Sequence, residues 1–256
     1  MSIFCLVHGA CLGAWSWKYL INELEARGHQ VIAMDLPIEN PEANLSAFAQ
    51  AVLDPLQESE EDIVLVGHSM AGTVIPIVAS QIPISRLVFL SALIPYPGMS
   101  TLEQCEFQAT ANLFKAEEYN PVKSKFEHLR YEPHMLNSAL RGKDPVQDRA
   151  VVMKFHFHDC QPDIAEWAIS KLRTHRSPAH LTEMFPLQKL PDVEYSYILG
   201  TEDRILYPAW SRYAARKRLG IDPIEITGGH YLQLSRPAQL ADILINNRSV
   251  TKTSGI

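Results

Sequence analysis

Short apolar runs rich in β-branched residues alternate with segments of helical period through the first third of this chain, and no other feature limits its fold as tightly. Ile3 to Val7, Val31 to Met34, Ile63 to Val66 and Leu87 to Leu90 are apolar on both side-chain faces over much of their length. Strands read this way when helices cover both sides of a parallel sheet. Between the first two, Trp17, Leu20, Ile21 and Leu24 fall at i, i+3, i+4 and i+7. They form one helical stripe, and Gly28 follows where a left-handed cap is wanted. Leu45, Phe48, Ala49 and Val52 repeat the spacing, and Pro55 should kink or end that second helix within a turn. Pro76 falls inside the helix expected after the third strand.

The alternation stops near Ile94, where Pro95, Pro97 and Gly98 break the chain, and mostly helical patterns run to about Leu187. Within that stretch Ile164, Trp167, Ala168 and Leu172 share a face, whereas Tyr119 to Pro133 shows no clear period and reads as loop. Strand patterning resumes at Val193 to Leu199 and at Ile224 to Ile226. A helix is expected around Trp210 to Arg216, a last one from Pro237 to Ile245, and a frayed polar tail from Arg248. The expected organisation is an α/β core of mostly parallel sheet, residues 1–93 and 188–256, with a helical cap, 94–187, inserted to roof a pocket.

Composition narrows the function. Lys and Arg number 23 against 29 Asp and Glu, a net charge of −6. No block of like charges offers a nucleic-acid footprint or a polybasic membrane patch, so the expected partner is a small molecule. Cys5, Cys11, Cys105 and Cys160 form no C-x-x-C pair, and they read as reduced thiols. The apolar run at the start is too short for a signal or a span and lacks a basic stretch before it. The expectation is a cytoplasmic enzyme or binder.

Gly67-His68-Ser69-Met70-Ala71-Gly72 stands directly after the third strand, with a helical pattern beginning at once. That context puts Ser69 on a sharp strand-to-helix turn, where small neighbours let a strained residue project its hydroxyl above the sheet. A serine hydroxyl needs a base to take its proton and a carboxylate to orient that base. Asp203, in Leu199-Gly200-Thr201-Glu202-Asp203, and His230, in Gly228-Gly229-His230, each follow a strand. Ligand sites of parallel sheets gather at that edge. Glu202 competes with Asp203 for the orienting role, and Asp203 is preferred. Two backbone N–H donors are needed for a developing oxyanion: Met70, after the nucleophile, and Ala10, in the loop His8-Gly9-Ala10-Cys11-Leu12-Gly13. His8 is expected to brace that loop and His68 to be structural.

The order Ser69, Asp203, His230 is that of α/β-hydrolases. Leu6-Val7-His8-Gly9-Ala10-Cys11-Leu12-Gly13-Ala14-Trp15-Ser16-Trp17 resembles the N-terminal motif of the plant methylesterase and hydroxynitrile lyase branch, which has bacterial relatives. Phe155-His156-Phe157-His158-Asp159-Cys160-Gln161-Pro162-Asp163 resembles that branch's aromatic, Cys, Pro and acidic run. The resemblance implies an α/β-hydrolase fold, a helical lid, a mostly apolar pocket and a serine hydrolase without metal or organic cofactor. In the related lyases a Lys typically follows the catalytic His and a Thr the His of the first motif. Tyr231 and Gly9 stand here.

His156, His158, Asp159 and Cys160 are all of types that ligate zinc, but no second cluster completes four. Pocket lining or cap packing is the expectation, and Trp15, Trp17 and Trp167 are expected in core or cap contacts. The sequence thus points to cleavage of small carboxylic esters through an acyl-enzyme. The alternatives are lyase-like C–C cleavage and a non-catalytic small-ligand binder on the same fold.

Overall fold

Strand residues sort by parity between two apolar layers in a computed structural model, which describes residues 2–56, 62–110, 129 and 132–246. Cys5, Val7, Leu65, Leu87, Phe89, Tyr197 and Leu199 face one layer, and Phe4, Leu6, Val64, Val66, Val88, Leu90 and Ile198 face the other. That period of two is what a sheet buried on both faces requires.

The strands are β1 (Ile3–Val7), β2 (Gln30–Ala33), β3 (Ile63–His68), β4 (Arg86–Leu90), β5 (Glu194–Gly200) and β6 (Ile224–Ile226). All pair in parallel, in the order β2-β1-β3-β4-β5-β6. The chain leaves β1 for β2 on one side and returns to place β3 on the other. In open parallel sheets ligands bind where the winding reverses, which here is at the C-terminal ends of β1 and β3.

Helix α1 (Lys18–Ala26) buries Leu20 and Leu24 beside Leu240 and Leu244 of the last helix. On the opposite face α2 (Leu45–Leu53) inserts Phe48 and Val52, and α3 (Ile75–Ala79) inserts Ile75 and Val78. Each fully buried side chain of this size contributes about 1.5 to 3 kcal/mol relative to exposure. Gly28 takes φ 82° just past α1, the left-handed cap that ends a helix without steric cost. Asn44 caps α2 by accepting from the Ala47 N–H at 2.8 Å. Pro55 lies in a single 3-10 turn, Asp54–Leu56, directly after α2, so that helix ends where its proline predicts.

Two expectations need correction. The segment after β3 does not enter an α-helix at once: a 3-10 turn, Ser69–Thr73, comes first, and α3 begins at Ile75. Pro76 therefore sits in the first turn, where its missing N–H has no intrahelical partner to lose. The helix expected to end near Arg216 is Pro208–Ala214, prolonged by a wider π turn, Ala215–Leu219, that closes on Gly220 at φ 69°.

Between β4 and β5 lie α4 (Thr101–Thr110), a π turn (Val152–His156), α5 (Pro162–Ser170) and shorter turns. Ile164, Trp167, Ala168 and Leu172 join one apolar cluster with Leu12 and Tyr231, although Leu172 lies past the end of α5. The loop expected over Tyr119 to Pro133 lies outside the described residues except for 129, 132 and 133, and the tail from Arg248 lies wholly outside them.

Candidate active site

Strand β3 ends in extended backbone at His68, and Ser69 then takes φ 56°. For a residue with a Cβ this costs on the order of 1 to 3 kcal/mol and persists only where the surroundings impose it. Here they do. The Leu93 N–H donates to the Ser69 carbonyl at 3.0 Å. A methyl on Gly72 would fall on the Leu93 carbonyl oxygen, and one on Gly67 would come within 2.8 Å of Ile75 Cδ1. A methyl on Gly9 would come within 2.8 Å of Ser69 Cβ, so the loop after β1 passes directly against the serine.

His230 and Asp203 meet below the surface, their side chains 1% and 2% exposed. His230 Nδ1 lies 2.7 Å from Asp203 Oδ2. The other oxygen, Oδ1, accepts from the Ile205 and Leu206 N–H groups at 2.8 and 3.0 Å. An ionised carboxylate only accepts, which assigns the proton to Nδ1 and leaves Nε2 as the basic nitrogen. Glu202 is exposed, and its N–H donates to the Gly228 carbonyl at 2.9 Å. Among the described residues His230 Nε2 and Ser69 Oγ form no hydrogen bond with each other, as is common before substrate tightens such a contact.

His68 Nε2 lies 3.0 Å from the His230 carbonyl, so this nitrogen donates and Nδ1 is bare and without a partner. Burial, with His230 beside it, holds its pKa well below the usual imidazole range. His8 braces the β1 loop as expected. Its Nε2 accepts from the Leu36 N–H at 2.9 Å and its Nδ1–H donates to the Gly9 carbonyl at 2.8 Å. Burial pushes its pKa down to about 4.

Arg173 supplies a second brace. Its backbone N–H donates to the Cys11 carbonyl at 2.9 Å, and its guanidinium donates to Leu12 and Leu36 carbonyls and to Glu39. Cys11 itself takes φ 60°. Among the described residues the N–H groups of Ala10 and Met70 donate to no backbone or side-chain acceptor. Both flank Ser69, one next to it in sequence and one across the Gly9 contact.

A strained serine after β3, a carboxylate after β5 and a histidine after β6 stand at one sheet edge, and residues 6–243 match the family described as "Alpha/beta hydrolase family". The chain belongs to that family. This hydrolase is 33% identical to "Methyl jasmonate esterase 1" of Vitis vinifera, covering 94% of each chain. It is 28% identical to "Salicylic acid-binding protein 2" of Nicotiana tabacum, over 94% of this chain and 95% of that one. It is 26% identical to "Alpha-hydroxynitrile lyase" of Arabidopsis thaliana, over the same shares. Within the family it falls in the methylesterase and hydroxynitrile lyase branch. Its fold is shared with an extracellular α/β-hydrolase of a Paenibacillus species at TM-score 0.72, with 23% identity over 96% of this chain and 98% of that one.

The His156 to Cys160 run packs onto this hydrolase's histidine loop. Asp159 Oδ2 accepts from the Gly229 N–H at 2.8 Å, and His156 Nδ1 lies 2.7 Å from the Tyr231 hydroxyl. Among the described residues no three His, Cys, Asp or Glu side chains are grouped to hold a metal ion. Trp15 and Trp167 pack edge to face at 5.4 Å, and Trp17 is fully buried. One cavity of about 650 Å³ beside Tyr96, Tyr195 and Lys217 and one of about 240 Å³ beside Phe4, Arg86 and Leu244 are not lined by Ser69, Asp203 or His230.

Sequence reasoning missed Arg173, which carries no local motif, and missed what Asp159 touches. The acidic position in the His156 to Cys160 run was the available signal.

Proposed function

We propose that this hydrolase cleaves small carboxylic esters, methyl or aryl, through an acyl-enzyme on Ser69. The buried 2.7 Å contact of Asp203 with His230, set at the same sheet edge as a serine held at φ 56°, carries the reading. His230 Nε2 takes the Ser69 proton as the hydroxyl attacks the ester carbonyl. The oxyanion forms against the free N–H groups of Ala10 and Met70, each donor worth about 2.7 to 4 kcal/mol in such sites. His230 returns the proton to the departing alcohol, then activates the water that frees the acid. Asp203 holds the imidazole tautomer and stabilises the imidazolium.

The names of the relatives at 33% and 26% identity, an esterase and a lyase, leave cyanohydrin cleavage as the competing reading. Tyr231 argues against it. Burial holds its hydroxyl well above the ordinary phenol range, so it stays neutral and offers no cation to a departing cyanide. A Thr at position 9 would also place its Cβ against Ser69. Residues 94–187 act in this reading as the cap over the pocket. No metal or organic cofactor takes part, and the partner is the ester rather than nucleic acid or membrane. No described helix is long and apolar enough to cross a membrane, and four free cysteines support a cytoplasmic location.

The test is an assay on methyl and aryl esters beside mandelonitrile. Ester hydrolysis that Ser69→Ala lowers by about 10⁴ to 10⁶ in kcat, with cyanide release no faster than the uncatalysed rate, supports the proposal. Cyanide release abolished by Ser69→Ala, with no ester hydrolysis, overturns it.

A further inference from the structure

Each residue of the Gly229-His230-Tyr231 tripeptide is tied to a different partner, and two of those partners come from the segment inserted between β4 and β5. The His230 ring is held by Asp203 and its carbonyl by His68. On one side of it the Gly229 N–H donates to Asp159 Oδ2 at 2.8 Å. On the other the Tyr231 hydroxyl meets His156 Nδ1 at 2.7 Å. The Asp159 side chain is only 5% exposed. Its Oδ1 and the Nε2 of His158 are buried without partners, and both crowd Gly229, where a methyl would meet them at 2.6 and 2.8 Å.

A buried carboxylate spent on one backbone N–H, with its second oxygen unpaired, is an expensive way to pack a loop. The nearest cation, Arg236, has Nη1 3.8 Å from Oδ2, beyond hydrogen-bond distance. The opposite face of the loop is pressed on Gly200, where a methyl would strike the Gly228 and Gly229 carbonyls.

We propose that Asp159 and His156 are positioning residues for the ester hydrolysis proposed above. From the inserted segment they latch the backbone on either side of His230 and set where its Nε2 points relative to Ser69. Neither touches the reacting atoms in this account. Burial pushes the His156 pKa down to about 3, so the latch to Tyr231 is a neutral hydrogen bond. A displacement on the order of 1 Å in a catalytic base costs about 100-fold in rate, which sets the scale expected on release.

The test compares Asp159→Ala, Asp159→Asn and Tyr231→Phe with the wild type on one small aryl ester. Measured are kcat, KM, the labelling rate with a fluorophosphonate, and the thermal midpoint. Asp159→Ala should lose about 30- to 100-fold in kcat and labelling rate with KM within about 3-fold. Asp159→Asn keeps an acceptor for the Gly229 N–H and should stay within about 5-fold of wild type. Tyr231→Phe keeps its ring and cannot hydrogen-bond to His156, so it remains informative if Asp159→Ala does not fold. It should lose about 3- to 10-fold in kcat at unchanged KM. Wild-type kcat in the folded Ala and Phe variants, or equal damage from Asn and Ala, overturns the latch while leaving the hydrolase reading intact. A wild type that neither cleaves esters nor takes the label overturns both.

Discussion

Replacing Gly72 with Ala adds one methyl group where the 3-10 turn after β3 meets the backbone of Leu93, just beyond β4. That methyl would fall on the Leu93 carbonyl oxygen, 2.9 Å from its carbonyl carbon and 3.0 Å from its nitrogen. The obstacle is backbone, which cannot turn aside as a side chain can, so the two segments must separate. Overpacking of this kind costs about 1 to 3 kcal/mol. The Leu93 N–H also donates to Ser69 O, and losing that bond adds about 1 kcal/mol. The sum is about 3 kcal/mol, or about 6 °C in thermal midpoint for a chain of this size, and the Ser69 carbonyl loses the partner that holds its strained φ. Ala71→Gly is the control: Ala71 is fully buried, and removing its methyl should cost only about 1 to 2 kcal/mol. Urea unfolding of the two variants, with ester hydrolysis per folded molecule, reads the contrast. A Gly72→Ala protein within about 0.5 kcal/mol of wild type and equally active would refute the close approach.

Two further outcomes follow from the buried histidines. His8→Ala leaves the Leu36 N–H and the Gly9 carbonyl without their partner and should cost about 2 to 5 kcal/mol in urea unfolding; a loss under 1 kcal/mol would show that the loop is held elsewhere. Burial pushes His8 and His175 down to about 4 and His156 and His180 to about 3, whereas unfolded imidazoles titrate near 6.5. Between those values only the unfolded chain binds the protons, so stability is full above about pH 6.5 and falls as pH drops toward 4. Each such histidine contributes a slope of about 1.4 kcal/mol per pH unit. Urea midpoints at pH 7.5 and 5 check this, and an unchanged or higher midpoint at pH 5 would contradict it.

Strands were legible wherever burial on both faces left an unbroken apolar run: β6 spans Ile224–Ile226 and β1 spans Ile3–Val7 as their patterns predict. Strand β3 runs two residues past its apolar signal because Gly67 and His68 still pair with β1 and β4, a hydrogen-bonding fact that hydropathy does not carry. The candidate triad was legible because Ser69, Asp203 and His230 each sit in a short Gly-containing turn after a strand, and those turns are local. In the turn after β3, Ala71 is buried with its methyl in place, and Gly72 is the position without room for one. Contacts between distant segments left no local trace. Arg173 reaches the Leu12 carbonyl across 161 residues and Asp159 reaches Gly229 across 70, and neither separation has a period or motif to announce it.

If Ser69 is a base-activated nucleophile, the intact protein should react covalently at that residue. The folded chain is treated with a serine-directed fluorophosphonate and the adduct located by mass spectrometry of its peptides. One label per chain is expected, on the peptide bearing Ser69, and none on Ser69→Ala of unchanged thermal midpoint. An intact, folded wild type that takes no label, or takes it at another residue, would show that Ser69 is not an activated nucleophile.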